Sequence, residues 1–419
     1  MVPTTRPTQI GDTSDALTEA VRLGHTAGGA GERAERSCRV RIARGGPTSH
    51  APPPLPPMRL PRPAAFGAPP EGARLDRMRR SPQWHDGRFR YSLPTIASPD
   101  VGTMVDFFFR DKDIRRPAEP PPTVARTASD FAEGQGLRLT WLGHATSLVE
   151  VEGARFLIDP VLGRYASPGR LFGVDRFFEP PLPVAEVPDL DAVVLTHDHY
   201  DHLDHTTVRA LAGRVPRWIA PLGVGAHLER WGVAAERITE LDWWDEADVG
   251  GVRLVCTPAR HFSGRFLDDR DRTLWCGWAF VGDEHRLYAT GDGGFGPHFA
   301  EIGERIGPFD ATLAEAGAYG AAWPDIHLGP EQAVRAVQAA RGGLMVPIHW
   351  GTFDLALHGW TEPAERSLAA AQAAGASIAV PRPGQSVTPG DPPDVERWWP
   401  DVAWQTAEEA PIVSSGTGT

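Results

Sequence analysis

Thr196-His197-Asp198-His199-Tyr200-Asp201-His202-Leu203-Asp204 is the stretch on which the reading of this chain turns. Three histidines and three aspartates fall within nine residues. Just before them runs Ala192-Val193-Val194-Leu195, short, apolar and β-branched, the pattern of a buried strand. The cluster therefore lies on the loop leaving a strand end, where a rigid scaffold presents side chains to a cleft. His197 and His199 are two residues apart, unsuited to one helix face but suited to an extended loop around a cation. Imidazole favours zinc and similar ions, and carboxylate oxygen can complete the shell.

Three more strand ends carry the same chemistry. His261 follows the strand pattern Val252-Arg253-Leu254-Val255-Cys256. Asp292 follows the strand 286–289 in Thr290-Gly291-Asp292-Gly293-Gly294, where small residues let the backbone approach a ligand closely. His349 follows Leu344-Met345-Val346-Pro347-Ile348. A lone strand-end histidine is usually structural. The order His-x-His-x-Asp-His, His, Asp, His on four separate strand ends points to a metal centre. Upstream, 137–141, 147–151 and 155–158 read as a three-strand meander ending in Asp159. His144, in the turn Gly143-His144-Ala145-Thr146, reads as a turn or core histidine. Helices are expected at 206–211, 223–231, 330–340 and 363–374. Further strands are expected at 217–220, 238–241, 274–281 and 311–314, with a last one at 377–380.

Composition bounds the rest. The 419 residues carry a net charge of −12, unevenly spread. Residues 1–90 hold 15 arginines against 8 acids, while the remainder holds 27 basic residues against 46 acidic ones. An acidic body argues against general nucleic-acid binding. No apolar run is long enough to cross a membrane and the N-terminus has no secretory apolar region. Cys38, Cys256 and Cys276 have no metal-type spacing and form no framework of staples, so the expectation is reduced thiols in a cytoplasmic protein.

Four segments follow. Residues 1–80 are rich in Pro, Gly, Ala and Arg, and read as a disordered extension, passive or touching anionic headgroups. Residues 81–134 read as an extended strap across the catalytic domain, which spans 135–390. The tail 391–419 is expected to fray, with Trp398, Trp399 and Trp404 packing on the body. The long loop 164–188, carrying Arg170, Phe172, Arg176, Phe177 and Phe178, is either a substrate-binding lid or a packed surface loop.

The motifs resemble those of the metallo-β-lactamase fold superfamily, and within it the N-acyl-phosphatidylethanolamine-hydrolysing phospholipase D family. The resemblance rests on Trp141-Leu142-Gly143-His144-Ala145-Thr146, the 196–204 loop, Pro258-Ala259-Arg260-His261-Phe262 and Leu274-Trp275-Cys276-Gly277-Trp278. It continues through Gly291-Asp292-Gly293-Gly294, Asp325-Ile326-His327-Leu328-Gly329-Pro330 and Ile348-His349-Trp350-Gly351-Thr352-Phe353. It implies an α/β fold, a four-layer αββα sandwich. It implies two divalent ions, in the first place zinc. His197, His199 and His261 would hold one; Asp201, His202 and His349 the other; Asp292 would bridge them. Asp159 would orient a ligand imidazole through its other nitrogen. His327 would sit near the substrate phosphate, or be only a helix neighbour.

Two divalent ions against Asp201, Asp292 and one hydroxide leave a net charge of about +1, which attracts an anionic oxygen. Such ions lower the pKa of bound water to about 7. The expected activity is therefore phosphodiester hydrolysis on a phospholipid-like substrate, with Asp201 orienting the nucleophile and transient contact with a membrane surface. The alternative is a lactonase, or another ester or amide hydrolase, using the same metals.

Overall fold

The computed structural model describes residues 62–97, 100–131, 136–169 and 173–417. Helix α1 (Gly72–Met78) leads to a hairpin of β1 (Trp84–His85) and β2 (Arg88–Phe89), then α2 (Val101–Phe109) and α3 (Lys112–Arg115). The first large sheet draws on β3 (Leu137–Gly143), β4 (Thr146–Val151), β5 (Ala154–Ile158), β6 (Ala192–Val194), β7 (Trp218–Pro221) and β8 (Ile238–Leu241). Helices α4 (His205–Leu211) and α5 (Gly225–Arg230) lie between its last strands in sequence. The second sheet comprises β9 (Glu246–Val249), β10 (Val252–Thr257), β11 (Gly277–Val281), β12 (Arg286–Ala289), β13 (Ala311–Glu315) and β14 (Leu344–Ile348). Helices α6 (His298–Arg305), α7 (Pro330–Ala339) and α8 (Glu362–Ala374) accompany it, and β15 (Ser386–Val387) returns to the first sheet.

The strand orders are β15-β3-β4-β5-β6-β7-β8 and β14-β13-β12-β11-β10-β9. Alternation along the strands builds the layers. Leu254, Cys256, Trp278 and Phe280 point into one core with Leu139, Trp141, Phe156 and Ile158 of the other sheet. Their neighbours Val255, Ala279 and Val281 face away, onto Phe299, Ile302, Val334 and Val337 of α6 and α7. On the other outer face Leu148, Leu157, Val193 and Trp218 pack on Val208, Leu211 and Leu228 of α4 and α5. The result is the expected αββα sandwich.

Strand direction decides where the site lies. Strand β4 is antiparallel to both β3 and β5, and β5 is parallel to β6. Strands β3, β5 and β6 therefore end at one edge. Likewise β11 is antiparallel to β10 and β12, while β12, β13 and β14 run parallel. Strands β10, β12, β13 and β14 end together as well. Ligands in open α/β sheets bind beyond the carboxyl ends of strands, and here seven such ends supply the loops of interest.

Several sequence expectations change. The segment 62–80 is not a passive extension, although residues 1–61 lie outside the described residues. Met78 is fully buried in a cluster with Phe89, Leu222, Leu274 and Trp275. Arg74 pairs with Glu240 at 2.6 Å and with Glu229 at 3.0 Å. Burial works against the Arg74 charge, but these two carboxylates outweigh it and raise its pKa. A Pro- and Arg-rich composition hid this, because its apolar partners are far away in sequence. The tail does not fray either: Trp398 and Trp399 are buried, Trp398 stacks on Trp350 at 5.3 Å between centroids, and Ser414 is buried. Residues 377–380 form only a bridge from Ile378 to Met345, and the last strand is β15. In the loop 164–188, Arg176 is held by the Val161 and Gly163 carbonyls and Phe178 is buried, so both pack rather than face a ligand. Arg170 and Phe172 lie outside the described residues.

Met78→Ala removes a fully buried side chain from that first cluster. It should lower stability by about 2–5 kcal/mol, read by chemical denaturation. A change near zero would restore the passive-extension reading.

Candidate metal centre

Each strand end delivers its residue by a local device. Asp159 follows β5 with φ +41°. Its Oδ1 accepts the Thr196 backbone N–H at 2.8 Å and its Oδ2 accepts Thr196 Oγ1 at 2.6 Å. The same Oδ2 accepts His202 Nδ1–H at 2.8 Å, so His202 turns Nε2 inward. His261 donates Nδ1–H to the Ile326 carbonyl at 2.7 Å, which likewise leaves Nε2 aimed inward. His349, directly after β14, takes φ +69°. Asp198, between His197 and His199, does not face the site. It is buried and accepts the Gly264 N–H and the Thr273 hydroxyl, each at 2.8 Å, which pins the loop from behind. Asp204 caps α4, accepting the Thr206 and Thr207 N–H groups at 3.0 Å.

The residues converge in two lobes. In the first, His199 Nδ1 faces His197 Nε2 at 2.9 Å and His261 Nε2 at 3.2 Å. In the second, His202 Nε2 and His349 Nε2 are 3.1 Å apart, and Asp201 Oδ2 lies 3.3 Å from His349 Nε2 and 3.7 Å from His202 Nε2. Asp292 joins them. Its Oδ2 is 3.1 Å from both His202 Nε2 and His349 Nε2, 3.8 Å from His261 Nε2 and 4.0 Å from His197 Nε2. All seven predicted candidate ligands are thus brought together, in groups whose donor atoms lie within 4.8 Å of one another.

The donor chemistry fits a cation. Three ring nitrogens meeting within about a hydrogen-bond length cannot all be satisfied by the protons available, because a neutral imidazole offers one donor and one acceptor. One of the inward nitrogens, His261 Nε2, is already an acceptor by tautomer, since His261 spends its Nδ1–H outside the site. Buried lone pairs left facing one another cost free energy that a divalent ion removes.

Two residues belong to the site that the sequence reading left out. His144 is buried at φ +52°, with Nε2 2.9 Å from Asp201 Oδ2 and its ring 4.0 Å from that of His349. Its strand-end position after β3 was the available signal, since the same rule had found the others. Glu315 is the last residue of β13 and fully buried. Its Oε2 accepts the Gly293 N–H at 2.7 Å, and its Oε1 bonds His327 Nδ1. A carboxylate closing an otherwise apolar strand was its only mark. His327 stands at the lip of the site, 3.7 Å from Asp292 Oδ2 through Nδ1, with Nε2 left for a ligand.

Electrostatics follow from burial and packing. Burial, then the neighbouring imidazoles, drive His197 and His261 well below the usual histidine range. Burial alone would raise Asp201, but His202, His144 and His349 outweigh it and hold it well below the carboxylate range. Burial and then repulsion from Asp292 push Glu315 up to about 6. Burial opposes charge on His349, yet Asp292 and Asp201 outweigh it and push its pKa up to about 10. His202 is raised well above its usual value by Asp292, Asp201 and Asp159 against the same burial.

The last two directions give a sign. Without metal, both His202 and His349 are biased toward their protonated forms, His349 with a pKa of about 10, and a cation must displace those protons. Metal uptake at pH 8 should release protons, and affinity should climb as pH rises toward about 10. A weakly buffered titration with zinc reads the release directly; none would contradict this arrangement of charge.

With the geometry in hand, comparison with known proteins is direct. A family model described as a β-lactamase superfamily domain matches residues 154–350. An uncharacterized protein of Mycobacterium tuberculosis is 47% identical over 346 residues, covering 80% of this chain and 92% of that protein. The N-acyl-phosphatidylethanolamine-hydrolyzing phospholipase D 1 of Caenorhabditis elegans is 39% identical over 241 residues, 55% of this chain and 68% of that one. A UPF0173 metal-dependent hydrolase of Methanopyrus kandleri is 29% identical over 221 residues, 52% of this chain and 85% of that one. By fold, site and identity, the chain belongs to the metallo-β-lactamase superfamily of hydrolases and, within it, to the N-acyl-phosphatidylethanolamine-hydrolysing phospholipase D family.

Proposed function

We propose that this metal-dependent hydrolase is a binuclear phosphodiesterase that cleaves N-acylated phosphatidylethanolamine-like substrates. The observation that carries the reading is the convergence of His197, His199, His202, His261, His349 and Asp201 around the single carboxylate of Asp292. In it, His197, His199 and His261 would hold one divalent ion and Asp201, His202 and His349 the second, with Asp292 shared between them; zinc would suit this nitrogen-rich set. When bound, such a pair supplies activated water at neutral pH and positive charge for phosphoryl oxygens.

The chain's own groups do the rest. Asp201, slightly exposed and steadied by His144 Nε2, orients the water for attack on phosphorus. Glu315 holds the Nδ1 side of His327, so that His327 Nε2 binds the phosphate and gives its proton to the departing alkoxide. The water oxygen ends on phosphorus, the phosphorus–oxygen bond to the ethanolamine side breaks, and a phosphatidic acid and an N-acylethanolamine result. A groove of about 440 Å³ opens beside His261 and supports an amphiphilic substrate. Its lining mixes the rings of Phe89, Tyr91, Phe262 and Trp275 and the Leu93 side chain with Arg90, Arg270 and Asp271, so it offers both apolar and charged contacts. Contact with a membrane surface is part of the same proposal. No helix among the described residues is long and apolar enough to cross one.

Hydrolysis in water labelled with heavy oxygen should place the label in the phosphate product. Label in a carboxylate, or turnover of lactones with none of phosphodiesters, would assign the chain to the alternative class instead.

Asp292→Asn keeps the size and removes the charge facing four imidazoles. Turnover should fall by more than the about 10–100-fold that outer contacts to metal ligands cost, with the fold retained by circular dichroism. Elemental analysis of the unsubstituted protein should give close to two equivalents of divalent metal, and of the variant fewer.

A further inference from the structure

Behind the first lobe lies a buried polar knot that none of the chemistry above uses. Arg260 and Asp325 are both fully buried and pair at 3.1 Å. Each is the chain neighbour of a group in the bond that aims His261: Arg260 precedes His261, and Asp325 precedes Ile326, whose carbonyl receives His261 Nδ1–H. The ion pair and that hydrogen bond are therefore adjacent rungs between the same two segments. The Gly294 N–H adds a third tie, to the Arg260 carbonyl at 2.9 Å.

The far C-terminus completes the knot. Ser415 donates its N–H to Asp325 Oδ1 at 2.7 Å and its hydroxyl to Asp325 Oδ2. Its carbonyl accepts Arg260 Nη2 at 3.0 Å, so one tail residue bonds both members of the pair. Ser414 is buried beside it, donating to the Pro324 carbonyl at 2.9 Å and accepting from Gln332 at 3.0 Å. The lead-in strap joins from the other side: the Pro94 carbonyl accepts Arg260 Nη2, and the Ile96 N–H reaches Asp325 Oδ2 at 2.9 Å. Residues 89–95 also form a wall of the groove beside His261.

We infer that Ser415, Asp325 and Arg260 are positioning residues of the metal centre: the tail, clasped onto the Arg260–Asp325 pair, fixes the direction of His261 Nε2. The inference rests on the reading of His197, His199 and His261 as one metal's ligands. A buried ion pair held by several further hydrogen bonds is stiffer than one that has lost them, and here only Arg260 Nε lacks a partner among the side-chain atoms of the pair. Losing the Ser415 hydroxyl leaves Asp325 Oδ2 short of a donor and lets the 325–326 backbone shift. The imidazole that leans on the Ile326 carbonyl then loses its fixed direction.

The test uses the full-length protein with Ser415→Ala, Ser415→Thr and Asp325→Asn. Zinc affinity is measured by competition with a chelating indicator, and the cobalt-loaded protein by its visible spectrum. Ser415→Ala and Asp325→Asn should weaken one of the two zinc ions by about tenfold or more and shift the cobalt bands. Ser415→Thr keeps the hydroxyl and should match the unsubstituted protein. If Asp325→Asn fails to fold, the serine pair decides alone. Folded Ser415→Ala that binds zinc and cobalt as the unsubstituted protein does would overturn the inference. An unsubstituted protein that binds no zinc would instead overturn the metal reading beneath it, and with it this inference.

Discussion

The constraint on which everything else depends is that buried imidazole lone pairs have to be held face to face. His199 Nδ1 looks at two other ring nitrogens within 3.2 Å, and Asp292 Oδ2 has four imidazoles within 4.0 Å. No arrangement of neutral imidazoles satisfies the three ring nitrogens of the first lobe, so without a cation they are held together against unpaired lone pairs. The scaffold must be stiff enough to keep the site assembled. Backbone strain at its margins shows the same demand: His144, Asp159 and His349 all sit at positive φ, in a region unfavourable to residues with a Cβ. Such geometry persists only where the surroundings over-determine it. Here they do, through the Asp159 carboxylate on Thr196 and His202 and the Ile326 carbonyl on His261.

What was legible in the sequence follows from this. The residues that converge at the candidate site could be picked out because each is a short polar break directly after an apolar run. That signal is local, and it survives in one sequence. The αββα layers were legible for a similar reason, since alternation in stretches such as Val252–Thr257 separates the inter-sheet core from the helix-covered face. His144 obeyed the same rule and was set aside only because a single histidine carries little weight. Glu315 was hidden because a charged residue closing a buried strand looks, one position at a time, like the strand's exit to solvent. Its burial is created by Gly293 and His327, which arrive from elsewhere in the chain.

The segments 62–80 and 391–417 were misread for a physical reason also. Pro, Gly, Ser and Thr are the residues of unstructured segments because they bury little apolar area. Segments 62–80 and 391–417 do not dock mainly by apolar area. They dock through a few anchors, Met78, Trp398 and Trp399, and through polar groups that meet buried partners far away: Arg74 on Glu240, Ser415 on Asp325. A buried carboxylate already in place turns an unremarkable serine into a structural residue. Nothing in the serine's own neighbourhood announces it.

The direction of the strands then explains why both of these segments pack near the same edge. Nine strands end at one edge of the sandwich, seven of them feeding the site, so backbone groups past those ends lie beyond the ladders. A metal centre there needs a dry, rigid wall behind each ligand, and neither sheet can provide one past its own last residue. The wall has to come from segments outside the sheets. At the 197–203 loop it comes from the lead-in: the Ala65 carbonyl binds Arg265, whose other bonds reach the Asp198 and Leu203 carbonyls at 2.6 and 2.9 Å. At His261 it comes from the tail through Ser415. The long additions before and after the sandwich therefore complete the metal site's outer layer, and a shortened chain that kept every strand would still lack the walls that keep its histidines aimed.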